Sequence, residues 1–221
     1  MKILIVSATK FEVAHLMHLS KKNNARENIT TIHFGKHAID ILVTGVGMTA
    51  TAFHLGRTLI KKYDLAINAG IAGSFRKNIP LGEMVNIVND CFADLGAEDG
   101  EKFVTAKELK LVESLEFRMQ NPNTIGHRLS VVGQLRKVKG ITVNTVHGNT
   151  SSIKKVVSKF NPDVESMEGA AFFYSCQKNK IPCIQIRSIS NYVEKRNKKK
   201  WEVDLAIKNL NSFLVNFLLN S

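Results

Sequence analysis

The stretch Val164-Glu-Ser-Met167-Glu168-Gly-Ala-Ala-Phe172, followed by the apolar run from Pro182 to Ser190 with its ending Arg187-Ser-Ile-Ser190-Asn191, decides the fold. In the first, a Met-Glu pair sits where a strand runs into a helix. In the second, an amide side chain closes the next strand. Strand, helix and strand in succession are the building unit of an α/β sheet, and residues at such strand ends are the ones a ligand meets. Glu168 can accept hydrogen bonds from two neighbouring ribose hydroxyls, because an ionised carboxylate has two oxygens and only acceptor capacity. Asn191 then faces a base held beside that sugar.

Outward from this unit, apolar runs of strand length recur at Lys2 to Val6, Ala38 to Thr44, Leu65 to Ala69, Met84 to Val88 and Ile141 to Val146. Helical patterns lie between several of them. Phe11, Ala14, His15 and His18 continue with Leu19; Ala52, Leu55, Leu59 and Ile60 share a face; Val156, Val157 and Phe160 share another. From Trp201 through Ala206, Leu210, Phe213, Leu214, Phe217 and Leu218 an amphipathic helix closes the domain. The alternation predicts an α/β fold over residues 1–221: a single-domain three-layer sandwich with a largely parallel central sheet flanked by helices.

Of 221 residues, 44% are hydrophobic and 23% charged, the balance of an ordinary globular domain with a core to bury. The apolar run after Met1 is too short for a signal peptide, and no segment reaches the roughly 20 apolar residues that span a bilayer. A cytoplasmic protein with no membrane partner is expected. Cys91, Cys176 and Cys183 have no CxxC spacing and read as buried thiols in a reducing compartment. The formal charge of +12 invites a nucleic-acid reading, but the one dense run, Lys195-Arg-Asn-Lys-Lys-Lys200, has no interleaved aromatic apart from Trp201 at its end. It reads as a solvated loop or, because it directly follows Asn191, as a local field for an anionic small molecule. No nucleic-acid partner is expected.

Four clusters fall at strand ends. Ser7-Ala-Thr9-Lys-Phe-Glu12 follows the first strand, and Thr9-x-x-Glu12 before an apolar run is a capping box, which by itself explains Glu12. Thr44-Gly-Val-Gly47-Met-Thr-Ala50 matches the G-x-G-x-x-A dinucleotide pattern, yet the acidic residue that fingerprint needs about 20 residues on is missing. The following strand runs into Asn68-Ala-Gly70-Ile-Ala-Gly73, and Asp64 lies at its wrong end. Both glycine segments, Gly45 to Gly47 and Gly70 to Gly73, read as loops, either plain tight turns or places where backbone approaches a flat base or sugar. Asp90 to Glu101 gathers acids without the spacing of a calcium loop and reads as a polar lid or interface loop. No histidine pair has zinc spacing, and His15 and His18 belong to a helix surface, so no metal site is expected. The fourth cluster is Glu168 with Asn191. Alone, Glu168 is an acid favoured at a helix N-terminus; four clusters in order at strand ends argue for more.

Ser7-Ala-Thr-Lys-Phe-Glu12, Thr44-Gly-Val-Gly47, Gly70-Ile-Ala-Gly73, Val164-Glu-Ser-Met167-Glu168 and Ser190-Asn191, in this order and nearly end to end, resemble the nucleoside phosphorylase and nucleosidase superfamily. Within it, Phe92-Ala-Asp94-Leu-Gly-Ala-Glu98-Asp99 and Ile189-Ser-Asn191-Tyr-Val-Glu-Lys-Arg196-Asn look like the futalosine hydrolases, which cleave hypoxanthine from futalosine in a menaquinone pathway. The resemblance implies a mixed sheet wrapped by helices, a homo-oligomer, a small nucleoside substrate and neither metal nor organic cofactor. It implies that Glu12 activates water, Glu168 grips the ribose hydroxyls, Met167 packs on the sugar and Arg187 supports the pocket. Thr9 stands where adenine-releasing relatives often carry Met, and Asn191 stands where they usually carry Asp. An amide donates through its NH2 to N7 or to a 6-oxo group, whereas an ionised carboxylate repels O6, so hypoxanthine suits this site better than adenine. An amide supplies no proton, which leaves the source of one for N7 open. Futalosine carries a benzoate at the far end of its 5′ substituent, and Arg196 or a neighbouring lysine can pair with it.

The nearest alternative is an adenine-releasing nucleosidase acting on methylthioadenosine, adenosylhomocysteine or aminodeoxyfutalosine. A purine nucleoside phosphorylase fits less well, because those relatives typically bind phosphate with Gly-Asp-Pro-x-Arg near the N-terminus. A non-catalytic nucleotide-binding protein would account for the charge and leave Glu12 unexplained.

Overall fold

The computed structural model describes residues 1–18, 24–26, 28–35, 37–119 and 130–219. Strand β1 (Lys2–Ser7) is the spine, paired in parallel with β4 (His37–Val43) on one side and β5 (Leu65–Ser74) on the other. Strand β12 (Cys183–Tyr192) runs parallel to β5, and β6 (Met84–Phe92) antiparallel to β12. Beyond β6 lie β10 (Arg136–Thr142) and β11 (Val164–Ser166), again parallel. Antiparallel strands β3 (Ile29–Phe34) and β2 (Asn24–Arg26) extend the β4 edge, and β9 (Glu116–Arg118) pairs with β6. Because β11 also pairs with the end of β5, the five strands β5, β12, β6, β10 and β11 close on themselves. Strands β7 (Gly96–Asp99) and β8 (Lys102–Thr105) form a separate hairpin.

The side-chain alternation of β1 builds the layers, since successive residues of a strand point to opposite faces. Leu4 and Val6 join Leu55, Phe172 and Phe173 beneath α2 (Met48–Thr58) and α5 (Gly169–Lys178). Ile3 and Ile5 join Val13, Leu16, Leu210, Leu214 and Phe217 beneath α1 (Lys10–His18) and α6 (Val203–Leu219). A strand covered on both faces has to be apolar throughout, and Ile3 to Val6 are fully buried. The short α3 (Ser130–Gly133) precedes β10, and α4 (Thr150–Phe160) adds Val156 to a third cluster with Cys91, Ile141 and Val143. A mixed sheet flanked by helices is therefore the architecture, as expected.

Several local expectations need correction. The buried face of α1 is Glu12, Val13 and Leu16, while Phe11, His15 and His18 are exposed; Leu19 lies outside the described residues. The helix is rotated because Glu12 is held inward by partners at the strand ends. Ile60 lies past the end of α2 and is exposed, although Leu55 and Leu59 are buried as expected. Strand β10 begins and ends several residues earlier than the apolar run at Ile141 suggests, since Arg136, Lys137 and Lys139 stay exposed while Val138 packs inward. Gly70 to Gly73 form part of β5 and not a loop. Asp90 is buried within β6, and only Glu98 to Glu101 of its acidic neighbours belong to the hairpin. The three cysteines are buried thiols outside any disulfide among the described residues, no helix of those residues is long and apolar enough to cross a membrane, and they hold no cluster of three metal-ligating side chains.

Candidate active site

The carboxyl ends of β1, β5, β11 and β12 surround a cavity of about 400 Å³ lined by Thr9, Glu12, Gly73, Met167, Glu168, Asn191 and Arg196 among others. This is where an open α/β sheet presents its ligand site. Of the residues expected there, Arg187 alone lies behind the wall, fully buried.

One end of the cavity is built on Glu12. Thr9 donates to Glu12 Oε2 through its N–H and its hydroxyl (both 3.0 Å), and the Glu12 N–H donates back to Thr9 Oγ1 (3.4 Å). That is a capping box, and it starts α1. Ser7 Oγ donates to the same Oε2 (3.0 Å), while the Ile71 N–H donates to Oε1 (3.1 Å). Cap and cavity carboxylate are thus one group, held by four donors, with Oε1 keeping spare acceptor capacity.

Beside it, Arg187 Nη2 donates to Asn68 Oδ1 and lies 3.5 Å from Glu168 Oε2. Gly70 gives the guanidinium its room: a Cβ there would stand 2.1 Å from Arg187 Nη1 and 2.8 Å from Glu12 Oε1. The Gly47 N–H donates to Glu168 Oε1 (3.2 Å) from a turn in which Gly45 and Gly47 take φ of 85° and 100°, a region that favours glycine. The apparent dinucleotide motif therefore serves Glu168. Burial raises the Glu168 carboxyl above the ordinary carboxylate range, with Arg187 and the Gly47 N–H pulling the other way and the charge of Glu12 adding to the rise.

The other end is built on register. Glu165 of β11 and Asn191 of β12 are both partners of Gly73 in β5. A Cβ at Gly73 would meet Asn191 Nδ2 at 3.2 Å and Glu165 Cγ at 3.6 Å, so the two side chains crowd over one glycine. The register of β12 slips between Ile189 and Asn191, a bulge of the kind that re-aims a side chain. Ser190 Oγ donates to Asn191 Oδ1 (2.9 Å), and Asn191 Nδ2 donates to the Tyr192 carbonyl (3.2 Å). The carbonyl fixes which end of the amide is NH2, and the second N–H is left for a ligand.

Sequence reasoning missed Glu165 and His147. The buried Glu165 accepts the His147 N–H at Oε1 (3.0 Å) and lies 2.7 Å from His147 Nδ1 through Oε2. In the stretch 144–149 after β10, Val146 and His147 line the cavity. Asn144 instead donates its N–H to Asp94, and Asn149 caps α4 by accepting from the Ser151 N–H (2.8 Å). Arg196 is exposed at the rim with its guanidinium 5.0 Å from the centre of the Trp201 ring.

Beneath the helix that follows Glu168, Asp90 is buried and accepts from Thr142 Oγ1 and Gln185 Nε2 (both 2.9 Å). Thr142 Oγ1 in turn accepts the Ala170 N–H (2.7 Å). Burial pushes the Asp90 carboxyl up to about 6, opposed by those two hydrogen bonds and by Arg187.

A family model described as the phosphorylase superfamily matches residues 2–219. The chain is 26% identical over 218 residues to the futalosine hydrolase of Streptomyces coelicolor, covering 94% of this chain and 91% of that protein. It is 28% identical over 203 residues to the 5′-methylthioadenosine/S-adenosylhomocysteine nucleosidase of Shewanella oneidensis, covering 86% and 84%. Among solved structures, futalosine hydrolase of Helicobacter pylori shares the fold with a TM-score of 0.81 at 15% identity, over 100% of this chain and 98% of that one.

Proposed function

The chain belongs to the phosphorylase superfamily, and from that premise we propose that it is a nucleosidase, a hydrolase of the N-ribosyl bond, which cleaves futalosine to hypoxanthine and dehypoxanthine futalosine in menaquinone biosynthesis. The observation that carries this reading is the pair of carboxylates in one cavity, Glu12 and Glu168, with an amide and not an acid at Asn191. Residues 1–221 act as one domain, in the cytoplasm and as a homo-oligomer, without a cofactor.

Cleavage of an N-ribosyl bond leaves positive charge on the sugar and sends an electron pair into the base. As in glycoside hydrolysis, a carboxylate on the face opposite the leaving group activates water. Glu12 takes that part through Oε1, the oxygen with spare acceptor capacity. Glu168 binds the ribose hydroxyls and, as a carboxylate, favours the cationic sugar; Arg187 and the Gly47 N–H favour its charged form against the burial that raises it. Met167 packs on the sugar. Asn191 donates to N7 or O6 of a 6-oxopurine, and Arg196, stacked on Trp201, meets the benzoate at the cavity mouth.

The test is release of free base without phosphate from futalosine, aminodeoxyfutalosine, methylthioadenosine and inosine side by side. Hypoxanthine from futalosine alone is the expected result. Adenine from the amino substrates would transfer the reading to the adenine-releasing nucleosidases, and turnover only with phosphate would transfer it to a phosphorylase.

A further inference from the structure

We propose that His147, clamped by Glu165, is the acid that protonates the departing base. The inference rests on the nucleosidase reading and supplies what an amide at Asn191 cannot. A purine leaving with the electron pair of its glycosidic bond needs a proton on a ring nitrogen, and Asn191 only donates hydrogen bonds.

The geometry puts a proton carrier beside it. Glu165, Gly73 and Asn191 are register partners across three neighbouring strands, so Glu165 and Asn191 stand at the same end of the cavity. Both oxygens of Glu165 hold His147, one through its backbone N–H (3.0 Å) and one through Nδ1 (2.7 Å). A carboxylate only accepts, so Nδ1 carries a hydrogen and the second ring nitrogen, Nε2, serves the cavity that His147 lines. An edge-on contact with Phe75, ring centres 6.3 Å apart, packs the same ring. A histidine oriented at one nitrogen by a carboxylate and working at the other is the arrangement by which imidazoles move protons in catalysis.

The step balances. It starts from the imidazolium, with Nδ1–H on Glu165 and a second proton on Nε2: as the bond between the anomeric carbon and the base nitrogen breaks, its electron pair goes to the base, which takes the Nε2 proton and leaves the neutral Nδ1–H ring. Water adds its oxygen to the anomeric carbon and gives a proton to Glu12. The imidazole and Glu12 then return to their starting states by exchange with solvent. Glu165 is a positioning residue here, acting through His147.

The experiment compares wild type with His147→Asn and His147→Gln on futalosine and on p-nitrophenyl riboside, whose nitrophenolate departs without a proton. Asn keeps a donor toward Glu165 and removes Nε2; Gln offers a neutral N–H near the Nε2 position and no transferable proton. Both variants are expected to fold, to lose about a hundredfold or more in kcat on futalosine, and to stay within a few-fold of wild type on the nitrophenyl substrate. Equal losses on both substrates would overturn the proposal in favour of a structural role. Restoration by Gln alone would overturn it in favour of hydrogen bonding without proton transfer. Wild type that releases no base from any nucleoside would overturn the nucleosidase reading itself, an outcome distinct from both.

Discussion

Glu12 caps α1 and faces the cavity with the same carboxylate, so the substitution that separates the two tasks is Glu12→Gln, because glutamine also closes a capping box. Turnover on futalosine is expected to fall about a hundredfold or more while the melting temperature stays close to wild type; a folded variant with near-normal turnover would leave Glu12 only its cap. Asn191→Asp puts an oxygen where Nδ2 now meets the Tyr192 carbonyl. Hypoxanthine release should drop relative to adenine release, measured as a ratio of kcat/KM for futalosine and aminodeoxyfutalosine, and an unmoved ratio would mean that the base is read elsewhere. Arg196→Ala should raise KM for futalosine roughly tenfold, the worth of one charge-assisted hydrogen bond, with kcat little changed. An unchanged constant would return the basic run to a solvated loop. These residues were legible because each is a chemically distinctive side chain beside a turn signal. Glu165 and His147 were not, since their pairing spans 18 residues and their place beside Asn191 depends on the register of β11 against β5.

Among the elements, β5 carries the sharpest test, because glycine there serves space rather than turning. Gly70→Ala brings a methyl within 2.1 Å of Arg187 Nη1 and 2.8 Å of Glu12 Oε1. Arg187 is fully buried and tied to Asn68, so it has little room to yield. The variant is expected to lose about 1–3 kcal/mol by denaturant titration, the usual penalty for overpacking, and to lose turnover as well. Gly56→Ala in α2 is the control of opposite sign: nothing lies within 4 Å of its Cβ position, and alanine should gain about 0.5–1 kcal/mol in a helix interior. If Gly70→Ala behaved like Gly56→Ala, the tight fit around Arg187 would be refuted. The same glycines show why sequence reading took Gly70 to Gly73 for a loop: a glycine pair usually marks a turn, and only the arginine arriving from β12 reveals the other use. Strand β10 was shifted for a similar reason, its exposed Arg136, Lys137 and Lys139 hiding the inward Val138. Strand β1 and the first half of β5 were plain, because a strand covered on both faces by helical layers is mostly apolar, as Ile3 to Val6 and Leu65 to Ile67 are.

For the molecule as a whole, the consequence of closing five strands on themselves is a polar group trapped in the core. Asp90 ties β6 to β10 and β12 through Thr142 and Gln185, and Gly140 and Gly169 leave room for its Oδ2, since a Cβ added at either would stand 2.9 or 2.1 Å from it. Its carboxyl titrates at about 6 in the folded chain against a reference of 3.8. For an acid whose folded value is raised, the stability present below the unfolded value is lost as pH climbs to the folded one. Asp90 therefore withdraws stability between about pH 4 and 6, by about 3 kcal/mol for a rise of this size, and nothing further above that range. Other carboxylates and the formal charge of +12 shape the absolute curve, so the quantity to measure is the difference between wild type and Asp90→Asn. The carboxamide stays neutral, still accepts from Thr142, and can donate to Gln185 once that amide turns its Oε1, buried without a hydrogen-bond partner among the described residues, toward it. Chemical denaturation at successive pH values should show the variant gaining on wild type from pH 4 to 6 and running parallel above; parallel curves throughout would mean that Asp90 is ionised at no cost.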